Sequence, residues 1–295
     1  MSYGAVEAVK GIDLEVVPGE VFAFLGPNGA GKTSTVEVLE GFRRRRSGHV
    51  RVLGEDPDDA GADWRSRIGV VLQESAVEPE LTVSECVALY AGYYPHPRSV
   101  TETLDLVGLA EQSGAFCGRL SGGQRRRLDV ALALVGGPEL LFLDEPTTGF
   151  DPTARRAAWD VIAGLRQLGT TILLTTHYMD EAEFLADRIA VIAAGRIVAE
   201  GTPATLGGRD RDRSRVRFTV GAPVAASELP SDLSGATVRV RGTGGVDVEA
   251  LVDAPLPALA ALAAWAAGRS LEVGDLEVSK PTLEDVYLRL TAAQP

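Results

Sequence analysis

The octapeptide Gly26-Pro27-Asn28-Gly29-Ala30-Gly31-Lys32-Thr33 restricts what this chain can fold into more than any other feature. It fits the pattern G-x-x-x-x-G-K-[ST], which works only between a buried strand and the start of a helix. Both flanks are present. Glu20 to Leu25 is a short apolar, β-rich run that suits a buried strand of a parallel sheet, and Thr33 to Leu39 places Val36 and Leu39 at helical spacing. Glycines let the backbone curl so that successive N–H groups point at phosphate oxygens. The helix N-terminus adds positive potential, Lys32 neutralises β/γ charge, and Thr33 offers a hydroxyl to Mg²⁺.

Further buried strands read at Leu140–Leu143 and Thr171–Thr175, with the helical pattern 154–168 between them. This β-α-β alternation predicts an α/β fold: a mainly parallel sheet with helices on both faces and ligands beyond the carboxyl ends of the strands. Between Phe42 and Leu120 the pattern is less regular, with helical pieces around Val83 to Tyr93 and Ser99 to Val107, and we read an inserted helical subdomain at about 74–135. The run from Gly207 to Arg213 is charged and glycine-bearing, as expected of an exposed linker. The expected division is therefore 1–205 and 206–295. Within the second part, 216–220, 237–241 and 246–252 alternate like strands and 256–267 is apolar enough for a packed helix, so a small α+β domain is expected.

Composition narrows the class. Of 295 residues 45% are apolar and 24% charged, which is a globular balance. The longest uncharged stretch, Ala254 to Gly268, is too short for a membrane span, and the chain opens without a secretory signal, so a cytoplasmic protein is expected. The net charge of −12 argues against nucleic acid as a partner, which would need a positive field. Ten Lys/Arg against twelve Asp/Glu in 206–295 leave most of the acidic surplus in the first part. Arg43 to Arg46 is read as a solvated face rather than a headgroup patch. Cys86 and Cys117 show no metal-type spacing and are read as structural thiols, and His49 and His96 as surface residues.

Two more segments carry chemistry. Asp144 and Glu145 follow the strand at 140–143, where adjacent carboxylates can divide the work: Asp144 holds Mg²⁺ and Glu145, unquenched by metal, polarises an attacking water. Leu120-Ser121-Gly122-Gly123-Gln124 reads as a second anion site, a serine N-cap and two glycines before a helix. One nucleotide cannot easily use both sites of one chain, so the second is expected to face a nucleotide held by a partner subunit. An ordinary helix cap has the same spacing.

Taken together, Gly26 to Thr33, Gln73, Leu120 to Gln124, Leu140 to Glu145, Asp151 and His177 resemble the nucleotide-binding subunit of ABC transporters over residues 3–205. The resemblance implies a P-loop NTPase core that binds ATP and Mg²⁺ and hydrolyses ATP. It implies that Tyr3 stacks on adenine and that Gly26, Pro27, Asn28, Gly29, Ala30, Gly31, Lys32, Thr33 and Ser34 hold the phosphates. Gln73 would touch Mg²⁺ and the attacking water beside the transmembrane partner, so that Thr33, Gln73 and Asp144 form the metal set. Ser121, Gly122, Gly123 and Gln124 would grip the γ-phosphate bound by an opposite subunit, Asp151 would lie on the loop crossing between subunits, and His177 would contact the γ-phosphate. Lys32, Gln73, Glu145 and His177 are thus the expected catalytic group.

The segment from Thr175 to Glu183, followed by Gly195-Arg196-Ile197-Val198, is similar to ABC-2 type exporters, including daunorubicin-resistance-like drug efflux ATPases, and Pro281 to Tyr287 resembles the closing segment of that subgroup's accessory domain. That likeness implies two ATP-binding subunits, in a homodimer, closing head to tail at the cytoplasmic face of the membrane and driving a separate integral-membrane permease. The family usually carries a strand and short turn before the adenine-stacking aromatic. Here that aromatic is residue three, which leaves three readings open: a truncated start, a mis-assigned start, or, if the chain begins at Met1, a missing edge strand. A soluble ABC ATPase acting on ribosomes or DNA is the alternative, but such proteins usually have tandem cassettes or long coiled coils, and this chain has one phosphate loop and no sustained heptads. A phosphotransferase is the third reading, against which stand Glu145 beside Asp144 and the 120–124 segment.

Overall fold

A computed structural model describes backbone at 2–3 and 6–7 and complete residues at 9–71, 77–242 and 244–292. The chain divides into two compact units, one reaching Pro203 and the other spanning Ala204–Ala292.

The elements of the first unit, in chain order, are β1 (Ser2–Tyr3), β2 (Val6–Glu7), β3 (Val21–Leu25), α1 (Lys32–Leu39), α2 (Ala62–Ser66), β4 (Ile68–Val71), α3 (Val83–Ala91), α4 (Val100–Leu106), α5 (Gly122–Leu134), β5 (Leu140–Asp144), α6 (Pro152–Gln167), β6 (Thr171–Thr176), α7 (Met179–Leu185), β7 (Arg188–Ala193) and β8 (Arg196–Gly201). β1 and β2 pair antiparallel as a small ribbon. The main sheet runs β4-β5-β6-β3-β7-β8, parallel throughout except at β7–β8. Its central strand β3 is buried along its whole length, which is why Val21-Phe22-Ala23-Phe24-Leu25 shows no polar alternation. Phe22 and Phe24 pack with Ala190 and Ile192 under one side, while Phe142 and Leu173 pack with Val36 and Trp64. Trp64 satisfies its indole N–H on the Val52 carbonyl at 2.8 Å.

Pairing Leu25 with Thr176 and Asp144 with Thr175 brings the carboxyl ends of β3, β5 and β6 to one level, side by side. The loops that leave those ends are therefore neighbours. Helices α3, α4 and α5 pack on one another as the helical part. Thr82 and Ser121 each open a helix with a reciprocal capping box, to Glu85 and Gln124. Arg43 and Arg45 do not stand free in solvent: Arg43 pairs with Glu37 at 2.6 Å, and Arg45 with Asp56 at 2.5 Å and Asp58 at 2.9 Å. Cys86 and Cys117 are free thiols buried side by side, and burial pushes Cys86 up to about 12, which keeps it protonated and unreactive. His49 and His96 are exposed.

The second unit contains β9 (Ser214–Val220), β10 (Thr237–Val240), β11 (Val246–Val252), α8 (Pro255–Gly268), β12 (Val273–Ser279) and α9 (Leu283–Ala292). Its antiparallel sheet runs β10-β11-β9-β12. One face, with Val216, Phe218, Val248 and Ala250, packs on Ala258 and Leu262 of α8. The charged run 207–213 exposes Gly207, Asp210, Arg211 and Arg213, as expected of a surface segment, yet it is also tied down. Leu206 is fully buried, Gly207 at φ 60° lies so close to Val286 that a Cβ there would sit 2.7 Å from it, and Asp212 accepts two hydrogen bonds from Arg289 at 3.0 and 2.9 Å. Lys280 donates to the Asp210 and Asp212 carbonyls. The charges here fasten the run to α9, and Arg289 holds Asp212 below the ordinary carboxylate range.

Candidate functional site

The loop after β3 turns through Gly29 (φ 80°) and Gly31 (φ 108°), left-handed backbone that only glycine adopts cheaply. Gly26 is required for space instead. A Cβ there would stand 2.4 Å from the Ile192 carbonyl oxygen, so the loop can lie flat on β7 only without one. Pro27, Asn28, Gly29 and Thr33 are exposed, whereas Ala30 and Ser34 are buried. Lys32 is 5% exposed and curls back into the loop, donating from Nζ to the Gly26 carbonyl at 2.8 Å and the Pro27 carbonyl at 3.3 Å. Burial pulls its ammonium below the usual lysine range, opposed by the carboxylates of Glu145 and Asp144.

Glu145 approaches Lys32 from the neighbouring strand end, with Oε1 at 3.7 Å from Nζ. Its backbone is left-handed (φ 46°), unusual for a side-chain-bearing residue, and costs on the order of 1–2 kcal/mol. The strain is held by β6: the Glu145 N–H donates to both the carbonyl and the hydroxyl of Thr175, each at 3.1 Å. The Thr175 hydroxyl in turn donates to Asp144 Oδ1. Thr148 donates to Glu145 Oε2 at 3.1 Å. His177, one residue beyond β6, brings Nδ1 within 3.2 Å of Glu145 Oε1 but out of hydrogen-bond alignment, leaving a buried ring nitrogen unpartnered. Tyr178 walls the imidazole at 4.1 Å between ring centroids, and the Arg155 guanidinium of α6 covers the other side of Tyr178 at 4.1 Å.

Three adjacent strands thus converge Lys32, Asp144, Glu145 and His177, while Thr33 stands exposed at the start of α1. An ammonium, a helix N-terminus, hydroxyls and two carboxylates on one ledge form a set that receives polyphosphate with a hard divalent cation. The donor types would fit Mg²⁺: Thr33 and Asp144 offer oxygen atoms, and Glu145 is drawn toward Lys32 and His177 instead. Among the described residues no tight cluster of three or more His, Cys, Asp or Glu forms a cage of its own, as expected where a cation shares its shell with phosphate.

Ser121 caps α5, accepting from Gln124 N–H at 3.3 Å, and its own N–H donates to Gln124 Oε1 at 2.9 Å. Ser121 and Gly122 are exposed, and Gly123 lies against Ala154 of α6. Asp151 caps α6, accepting from Thr153 and Ala154 at 2.9 and 3.0 Å. Tyr3 lies in β1, and Gln73 lies outside the described residues. Arg126, on the second turn of α5, donates to the backbone carbonyls of Asp144 at 3.2 Å and Pro146 at 3.0 Å, tying the 121–124 segment's helix to the loop that carries Glu145. Sequence reading passed over Arg126, Thr175 and Thr148, since a basic run and strand-end threonines have no motif of their own.

Phosphate loop, acidic strand end and strand-end histidine on adjacent parallel strands define a P-loop NTPase core. Residues 9–148 match the family described as ABC transporter, and 214–282 match the ABC transporter domain-containing protein-like, C-terminal domain. The chain is 39% identical to the daunorubicin/doxorubicin resistance ATP-binding protein DrrA of Streptomyces peucetius, over 98% of this chain and 89% of that one. It is 38% identical to the Nod factor export ATP-binding protein I of Paraburkholderia xenovorans, over 99% and 95%. A solved dimeric, post-hydrolysis state of an ATP-binding cassette bound to ADP and Pi superposes with a TM-score of 0.59 at 26% identity, covering 67% of this chain and 91% of that one. A second ATP-binding subunit of an ABC transporter gives 0.61 at 28% identity, over 68% and 86%. The chain belongs to the ABC transporter family, as an ATP-binding protein.

Proposed function

We propose that the chain is the ATP-hydrolysing subunit of an exporter whose membrane-spanning permease is a separate polypeptide at whose cytoplasmic side it docks. The observation that carries the hydrolytic part is the meeting of Lys32, Glu145 and His177 within 3.7 Å of one carboxyl group. Lys32 is placed to neutralise the β/γ-phosphates, with the N–H groups of 26–33 around them. Mg²⁺, held by Thr33, Asp144 and Gln73, would offset charge on the phosphate oxygens. Glu145, outside that shell, takes the proton of the attacking water, and His177 Nδ1, buried and unpartnered, is free to hold the γ-phosphate or the water. Tyr3 supplies the adenine stack.

The export part is supported by relatives aligned over nearly the full chain whose names are those of drug resistance and Nod factor export. No helix among the described residues is long and apolar enough to cross a membrane. The 121–124 segment opens a helix at the exposed Ser121 and Gly122, a start of the kind that can meet a second chain's γ-phosphate, and a solved relative is dimeric with ADP and Pi. Two such subunits closing head to tail, with Asp151 on the crossing loop, are the proposed working form, and residues 1–205 and 206–295 the proposed domains.

Glu145→Gln tests the base. The variant should bind MgATP and accumulate as a closed dimer while turnover falls by about 10²–10⁴-fold. Hydrolysis at the parental rate would remove Glu145 from that role.

A further inference from the structure

Glu181 is fully buried on the first turn of α7, and ionisable groups are buried only where partners offset the loss of water. Its partners come from three different segments. Thr147 donates its hydroxyl to Glu181 Oε1 at 2.7 Å, and the Trp159 indole of α6 donates to the same oxygen at 3.0 Å. Thr176, whose Oγ1 accepts the Tyr178 N–H at 2.9 Å, faces the same carboxyl group, although Oε2 makes no well-aligned hydrogen bond. Burial pushes Glu181 above the usual carboxyl range, and these three donors oppose the shift.

Thr147 lies two residues after Glu145, Thr176 lies one residue before His177, and Trp159 lies on the helix that begins beside Asp151. One carboxyl group therefore fastens the loop of Glu145 and the helix behind Asp151 to the first turn of α7, which follows His177 in the chain. It repeats, one layer out, the link that Thr175 makes to Asp144 and Glu145. Among the described residues the two loops are also joined by the Glu145 N–H on Thr175 and by the unaligned approach of His177 to Glu145. We infer that Glu181 is a positioning residue for ATP hydrolysis, fixing Glu145 and His177 as one unit by holding Thr147 and Trp159 to the first turn of α7, the helix that follows His177. The inference rests on the hydrolytic reading above, in which Glu145 and His177 meet the attacking water. An error of about 1 Å between reacting groups lowers turnover by about 10²-fold while leaving nucleotide affinity to the phosphate loop.

The test is steady-state MgATP hydrolysis by the full-length chain, with melting temperature recorded for each variant. Glu181→Leu should lower kcat by about 10²-fold with KM for ATP within about twofold, whereas Glu181→Gln, which keeps an acceptor for Thr147 and Trp159 and gains a donor for Thr176, should recover most of the rate. Because Glu181→Leu leaves buried donors unpaired and can fail to fold, Thr147→Val removes one donor at nearly constant shape, and Trp159→Phe removes the other while leaving a small cavity, which its melting temperature reports. Each should lower kcat several-fold at unchanged KM. A folded Glu181→Leu with parental kcat overturns the inference, as do Thr147→Val and Trp159→Phe with parental kcat, or variants in which KM rises in step with loss of rate. Failure of the underlying reading looks different: Glu145→Gln and His177→Ala would then keep their turnover whatever Glu181 variants do.

Discussion

Glu40 ends α1 with 6% of its surface exposed, in the field of Asp144 and Glu37, and burial together with those charges raises its carboxyl to about 8. A folded-state value above the unfolded one means that the folded chain binds this proton more tightly. The stability contributed is complete below about pH 4.5 and is lost as pH rises through about 8, on the order of 3–5 kcal/mol in all. Nucleotide-free Glu40→Gln should therefore melt above the parent at about pH 8.5 and close to it at about pH 5; an equal difference at both would show that ionisation of Glu40 is not the cause. Residues of this kind are where sequence reading falls short. The positions of Gly26 to Thr33, Asp144, Glu145 and His177 were legible because spacing and strand ends fix them. Glu40 and Glu181 are glutamates on short helices, and such residues read as solvated. Which helix face meets the sheet is decided by tertiary packing, and no local pattern reports it.

At the level of elements, the start of α5 followed from its Ser121 cap, whereas Asp151, expected on a crossing loop, caps α6 and starts it at Pro152 rather than at 154. Strand β3 was legible from its unbroken apolar run, and β9 and β11 from alternation. The run 207–213 is exposed as its charges suggest, but its attachment through Asp212 to Arg289 was not legible, because alternating Arg and Asp give the same signal whether they face water or bind a helix end. Ser121 allows capping to be separated from chemistry. Ser121→Ala should cost about 1 kcal/mol of stability, a shift of a few degrees in Tm, with a larger loss of turnover. Ser121→Asp should restore the cap and the Tm but not the turnover, since a carboxylate caps as well as a hydroxyl yet repels a phosphate. Turnover restored together with Tm would reduce Ser121 to a cap.

On the scale of the whole molecule, each chain carries a phosphate loop with Glu145 and His177 at one ledge, and an exposed capped helix start at 121–124. The sequence changes from β-α-β alternation to short alternating strands near residue 206, and its charge balance puts most of the acidic surplus before that point. Composite sites at a dimer seam are the central claim, and complementation measures it most directly. Chains with Lys32→Ala keep the 121–124 segment and lose the loop; chains with Ser121→Asp do the reverse. Neither alone should hydrolyse ATP, while an equal mixture should recover up to about a quarter of parental turnover, because half the dimers are mixed and each has one intact site. A mixture that stays inactive although mixed dimers form, or a Ser121→Asp chain that works at the parental rate, would contradict the account.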